Sequence, residues 1–166
     1  SERAAAVWGK GSDEFLITVK GAEAPAHMPQ AKRSLGLIYA VNPFGADHQS
    51  SEHDPYYEEG VGDFNLDRLK QIGLGSPQPA YSLTEEKVRF AYETEVFYSM
   101  LDSAELCQFV YGPTWTLYDG KDTANMISSV TGWDITVDDL MEVGRRRLDL
   151  FRVFNAREGL RRNADK

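Results

Sequence analysis

The chain has a single cysteine, Cys107, so no disulfide can form within it and it must fold around an apolar core. No run of apolar residues approaches the roughly 18 that a membrane-spanning helix needs. Basic residues are also few, because 18 lysines and arginines stand against 26 aspartates and glutamates. The resulting net charge of -8 repels polyphosphate, which argues against nucleic acid and anionic membranes as partners. We therefore predict a cytoplasmic protein.

The composition is that of a globular protein, with 42% hydrophobic and 27% charged residues in 166. Apolar residues at helical spacing, ended by glycine or proline, predict helices over 2–8, 31–41, 65–72, 82–110, 121–130 and 137–157. Ser82, with Glu85 three residues on, and Thr136 are the predicted caps of the fourth and last of these helices, and Gly132 ends the fifth. Residues 15–19 form an isolated extended segment, and 44–63 are mostly loop. The predicted fold is all-α and multihelical, with a long central helix, an irregular loop region and little or no sheet.

A glycine- and proline-rich break at 75–79 is the best candidate boundary within the chain. It separates a helical and loop segment, 1–78, from a helical subdomain, 79–166. The chain opens inside a predicted helix and ends in polar residues without a structural terminator. We therefore expect an excised part of a longer protein.

Cys107 is placed by the pattern at the end of the long central helix, five residues after Asp102. A thiolate there can ligate iron while the nearby carboxylate holds a polar ligand. The alternative is that Asp102 is solvated and that Cys107 is a small, inert core residue, as free cysteines often are.

The loop 42–54 offers a second candidate site, where His48 follows Asp47 and where His53 lies between two carboxylates. Histidine is the usual proton shuttle near neutral pH. Two alternatives remain: a histidine paired with a neighbouring carboxylate, or a zinc hydrolase site built from His48, His53 and Asp54.

Two other groups of residues have simpler interpretations. The consecutive arginines 145–147 point in different directions on a helix, so we expect a solvated turn. The larger aromatic side chains are expected to fill the core; they are Trp115, Trp133, Phe151 and Phe154.

Several blocks resemble, in the same order, the carboxy-terminal part of the aldehyde ferredoxin oxidoreductase family. The blocks are VKGAEAP (19–25), GLIYAVNPFGADH (36–48), DSAELC (102–107), VTGWD (130–134) and RVFNAREG (152–159). The family segment Asp-x-x-Gly-Leu-Cys is matched by 102–107, with Glu105 where glycine is usual. Phe44 and Ser50 stand where the family commonly has basic residues associated with pterin phosphates.

The resemblance implies a role for each matched position. Asp102 would hydrogen-bond the amino edge of a pterin, and Leu106 would contact the same pterin through its main chain. Cys107 would ligate a 4Fe-4S cluster, whose other three thiolates would lie upstream of this chain. His48 would give or take a proton during catalysis.

The implied enzyme carries tungsten or molybdenum on two pterins (molybdopterin) and oxidises a small aldehyde to an acid. Electrons would pass through the 4Fe-4S cluster to ferredoxin or a similar carrier. Neither cofactor is complete in this chain, which would need the amino-terminal remainder of the same protein. The alternative is an all-helical interaction module that binds no cofactor and has no activity in isolation.

Overall fold

The computed structural model describes residues 1–114 and 117–165, and it is 56% helical, which confirms the all-α prediction. Within these residues it contains seven α-helices and one two-stranded sheet. The helices are α1 (Glu2–Trp8), α2 (Arg33–Val41), α3 (Asp63–Lys70), α4 (Glu85–Ser103), α5 (Gln108–Tyr111), α6 (Gly120–Thr131) and α7 (Val137–Arg157). No helix in the described part is long and apolar enough to span a bilayer.

Of the predicted extended segment 15–19 only the last two residues form a strand, which pairs locally in a small hairpin. Strand β1 (Thr18–Val19) runs antiparallel to β2 (Ala22–Glu23). The two turn residues, Lys20 and Gly21, both have positive φ, at 52° and 79°, as tight two-residue hairpins require. The Lys20 ammonium donates to the Ala40 carbonyl at 2.6 Å and thereby ties the hairpin to the end of α2.

Helix α4 begins two residues later than its sequence signature suggests. The residue that caps it is Thr84, whose hydroxyl accepts from the Lys87 amide at 3.2 Å. The expected cap, Ser82, instead donates to the Pro79 carbonyl. The capping prediction at Ser82 is therefore wrong.

The same helix ends at Ser103, seven residues before its predicted end. The Leu106 amide donates back to the Leu101 carbonyl at 2.9 Å, and Glu105 adopts a left-handed backbone with φ 56°. This is a Schellman-type ending, which usually employs glycine. Cys107 consequently does not lie on α4 but precedes α5 as its capping residue.

The core is centred on the crossing of α4 and α7. The two backbones approach so closely at Gly144 that a Cβ there would lie 2.0 Å from the Val96 carbonyl oxygen. Three aromatic residues expected in the core are exposed instead: Phe151, Phe154 and Trp133, at 43%, 61% and 68%. The fourth, Trp115, lies outside the described residues.

Candidate functional site

A cavity of about 650 Å³ opens beside the crossing of α4 and α7. Helix α4 contributes Glu95, Tyr98, Ser99 and Asp102, whose spacing of three, four and seven places them on one face. The remaining walls come from α7 and from the loop after α2. Their residues include Arg147, Phe151 and Phe154 on α7 and Asn42, Phe44, Asp47 and Ser50 on the loop.

Asp102 lies on the cavity wall with 63% of its side chain exposed and pairs with Arg147 at 3.1 Å. The same guanidinium donates to the Ser99 hydroxyl at 3.2 Å and lies 4.7 Å from the centre of the Phe151 ring. An exposed pair of this kind contributes little stability, but it does orient the carboxylate. Arg147 is thus a wall residue of the cavity, and its prediction as part of a solvated turn is wrong.

Glu95 is the most deeply buried acidic residue of the cavity wall, with 3% of its surface exposed. Asn42 donates to its Oε1 at 3.2 Å. Burial raises the pKa of Glu95 to about 7, although Arg152, Asn42 and Lys20 all favour the carboxylate. Desolvation outweighs these three partners, so both protonation states are accessible near neutral pH.

A second buried carboxyl, Glu52, connects the cavity wall to the histidine loop. Tyr98 donates its hydroxyl to Glu52 Oε2 at 2.8 Å, and the Thr114 hydroxyl donates to the same oxygen. The His53 amide donates to Oε1 at 2.9 Å. Burial raises the pKa of Glu52 despite these hydrogen bonds.

All three histidines of the sequence lie together beside Lys32. The ring centres of His27 and His48 are 4.7 Å apart, and those of His48 and His53 are 6.2 Å apart. The Lys32 ammonium is 3.0 Å from Nδ1 of both His27 and His53. Because an ammonium only donates, both Nδ1 atoms accept, and His53 Nε2 donates to the His48 carbonyl at 2.9 Å.

This environment disfavours the protonated forms of His27 and His53. Burial, with the Lys32 charge, lowers the pKa of His27; burial also lowers that of His53. His48 is not among the wall residues of the cavity, whereas its neighbour Asp47 is.

The zinc hypothesis for His48, His53 and Asp54 is wrong. Asp54 is fully buried and accepts hydrogen bonds from the Ser34 amide and hydroxyl at 3.1 and 2.6 Å, at the start of α2. It also pairs with the buried Lys87 ammonium at 2.8 Å. No group of three histidine, cysteine or acidic side chains in the described ranges is arranged to hold a metal ion.

Cys107 is an exposed free thiol, so it is not the buried core residue that the alternative hypothesis describes. The amide of its neighbour Gln108 donates to the side-chain oxygen of Gln49, which follows His48. The structure therefore holds the turn of Cys107 against the loop of His48. Of the expected site residues, Asp102 alone lines the cavity.

Sequence reasoning missed Glu95 and Tyr98, and it did not assign Arg147 or Glu52 to the cavity or to its wall residues. The first two carried a usable signal, because polar residues recur at helical spacing along α4 as far as Asp102. Glu52 carried none, since its partners lie 46 and 62 residues away in the sequence.

Comparison with known proteins supports one family. A family model described as aldehyde ferredoxin oxidoreductase, domains 2 and 3, matches residues 1–166. The chain is 27% identical over 150 residues to a protein of Thermococcus kodakarensis named tungsten-containing aldehyde ferredoxin oxidoreductase. Proteins of the same name from Pyrococcus furiosus and Pyrococcus horikoshii are each 26% identical, over 150 and 147 residues. These matches cover 90%, 90% and 89% of this chain but only 22%, 22% and 21% of the relatives.

Proposed function

Since this chain belongs to the aldehyde ferredoxin oxidoreductase family, we propose that it forms the carboxy-terminal, cofactor-facing part of a cytoplasmic enzyme that oxidises aldehydes to acids. Electrons would leave through a 4Fe-4S cluster to ferredoxin or a similar carrier. The observation that carries the proposal is the 102–107 segment, which presents an exposed carboxylate and an exposed thiol in a family chain.

The residues present fit a pterin at this cavity. Asp102 offers a carboxylate with ample free surface on the cavity wall, and carboxylates accept hydrogen bonds from amino groups such as the pterin edge. Tungsten or molybdenum bound by two pterins supplies the two-electron chemistry. Arg147 would hold the Asp102 carboxylate in place, and main-chain contact from Leu106 would come from its carbonyl, because its amide donates to the Leu101 carbonyl.

Cys107 can supply one of the four thiolate ligands of a 4Fe-4S cluster. Cys107 is exposed and precedes α5, so its sulfur is accessible from outside the chain. A 4Fe-4S cluster held by cysteines needs four thiolates, and the sequence has one. The other three ligands would come from the amino-terminal remainder of the protein.

His48 would handle a proton at its imidazole. Its carbonyl is occupied by His53, but among the described residues no hydrogen bond engages its ring nitrogens. Stacking on His27 holds the ring in place while leaving those nitrogens available. Imidazole is suited to proton transfer near neutral pH.

Arg147, although paired with Asp102, would also supply a cation in the cavity where two residues depart from the family pattern. Phe44 and Ser50, which replace residues associated with pterin phosphates, line the same cavity as Arg147. A guanidinium is well suited to phosphate. Arg147→Gln is accordingly expected to reduce pterin content, whereas Arg146→Gln, on the exposed side of α7, is expected to leave it unchanged.

The test is to express the full-length protein anaerobically with tungsten and molybdenum available and to measure metal, pterin and iron. Asp102→Ala should lose pterin and Cys107→Ser should lose cluster iron. The matched control Asp149→Ala, an exposed residue of α7, should lose neither. A full-length protein containing neither pterin nor iron would refute the enzyme and support the cofactor-free interaction module.

A further inference from the structure

Glu95 separates two cavities. It lies on the wall of the 650 Å³ cavity and also lines a second one, of about 270 Å³, further toward the amino-terminal end of α4 along the same face. The second cavity is bordered by α2 and α7, through residues that include Leu37, Tyr92, Arg145 and Asp149. A titratable side chain in this position has access to both spaces while being shielded from bulk water.

We propose that Glu95 is a proton carrier, which accepts a proton released in the larger cavity and passes it to the smaller one. This inference rests on the proposed function. Oxidation of an aldehyde with water yields the acid, two protons and two electrons. The electrons leave through the cluster, and the Glu95 carboxylate binds one of the protons as a carboxylic acid before releasing it.

The hydrogen bonding of Glu95 is compatible with both the carboxylate and the carboxylic acid. Its hydrogen-bond donor is the Asn42 amide, which can donate to a carboxylate or to the carbonyl oxygen of a carboxylic acid. Protonation therefore breaks no contact of the native structure. With a pKa of about 7, the group lies where a proton donor and acceptor is most efficient at neutral pH.

Most of the charged side chains around Glu95 form ion pairs with one another. Pairs are formed by Arg147 with Asp102, by Arg145 with Glu93 and by Lys20 with Asp165. The remaining facing groups are Asp47 on the loop, Tyr98 on α4, and Asp149 and Arg152 on α7. Arg152 donates to the Val41 carbonyl and makes the largest charge contribution in favour of the carboxylate.

The decisive experiment is an infrared pH titration of the full-length enzyme, taken as the difference between wild type and Glu95→Gln. We expect the carbonyl band of one protonated carboxyl to disappear with a midpoint near pH 7, and the band to be absent in the variant. A wild-type enzyme whose Glu95 does not titrate between pH 6 and pH 8 would overturn the proposal, whether or not it is loaded with cofactor.

Kinetics separate this inference from the proposed function. With acetaldehyde as substrate and a viologen dye as electron acceptor, Glu95→Gln should lower kcat by about 100-fold and remove the ionisation near pH 7 from the pH profile. Metal, pterin and iron contents should remain those of wild type. An active variant with the wild-type pH profile would refute the proton carrier and leave the proposed oxidoreductase intact.

Two further variants guard against a folding defect. Glu86→Gln lies on the same helix, outside both cavities, and breaks the exposed pair with Arg89, and its pH profile should match wild type. Glu95→Asp keeps a carboxyl but withdraws it by one methylene, so we expect the titration to persist and kcat to fall. Loss of the titration in a folded Glu95→Asp enzyme would contradict the proposal.

Discussion

Replacement of Gly144 by alanine tests the close crossing of α4 and α7. The added Cβ would lie 2.0 Å from the Val96 carbonyl oxygen and 2.9 Å from its carbonyl carbon, whereas ordinary contacts begin at 3.4 Å. The helices must therefore separate by more than an ångström. Because the obstructing atoms belong to the backbone, no side-chain rotation can relieve the clash.

The expected change in the free energy of unfolding combines two losses and one gain. Overpacking of a core costs about 1–3 kcal/mol. Separation also weakens the hydrogen bond from the Ser99 hydroxyl to the Gly144 carbonyl, now 3.1 Å, at about 1 kcal/mol. Alanine regains about 1 kcal/mol of helix propensity. We expect a net loss of about 2–3 kcal/mol in the free energy of unfolding, because a backbone obstruction is at the severe end of the range.

Urea unfolding of the 166-residue chain, followed by far-ultraviolet circular dichroism, measures this loss. The control Arg146→Ala, on the exposed side of α7, should change stability by less than about 0.5 kcal/mol. Val96→Ala in the Gly144→Ala background should not restore stability, since the carbonyl remains. A Gly144→Ala chain as stable as wild type would refute the close approach.

Three further predictions concern stability. Glu105→Gly should raise the free energy of unfolding by about 1 kcal/mol, because glycine adopts the left-handed turn without strain; a less stable variant in urea unfolding would contradict the turn. Asp54→Ala should cost about 3–5 kcal/mol by stranding the buried Lys87 ammonium, and Lys87→Met should recover part of that loss; no recovery in the double variant would rule out the stranded charge as the cause. Because the folded pKa values of His27 and His53 lie below 6.5, the unfolded chain binds more protons at these two sites, and their contribution to stability should fall as pH drops from 7 to 5. Glu95 and Glu52, whose pKa values burial raises, act in the opposite direction, so the test compares wild type with a His27→Gln/His53→Gln variant; a wild-type melting temperature that does not fall relative to that variant over this range would contradict the prediction.

The helices were largely predictable because their signals are local. The bounds of α7 match the prediction of 137–157, with Thr136 as the expected cap, and α6 ends at the predicted Gly132. The end of α4 was missed because its left-handed residue is Glu105, and glutamate carries none of the usual termination signal. A local pattern thus fails where an atypical residue occupies a special backbone conformation.

The cavity was less predictable than the helices. Phe151 and Phe154 fit the apolar stripe of α7, but a stripe at helical spacing cannot distinguish a core face from a cavity wall. The histidine cluster joins residues from three positions along the chain, so spacing around His48 did not reveal His27 or Lys32. Such sites depend on how distant segments meet, which a single sequence does not encode in any short pattern.

The hydrogen bond between the side chains of Gln49 and Gln108 has a consequence for how such an enzyme matures. Gln49 directly follows His48, and Gln108 directly follows Cys107. The hydrogen bond between the two amides therefore links the backbone position of Cys107 to that of His48. Anchoring the sulfur to iron would immobilise the imidazole loop as well. If Cys107 ligates a cluster and His48 handles a proton as proposed, the pair of amides would couple the placement of the electron relay to that of the acid–base group.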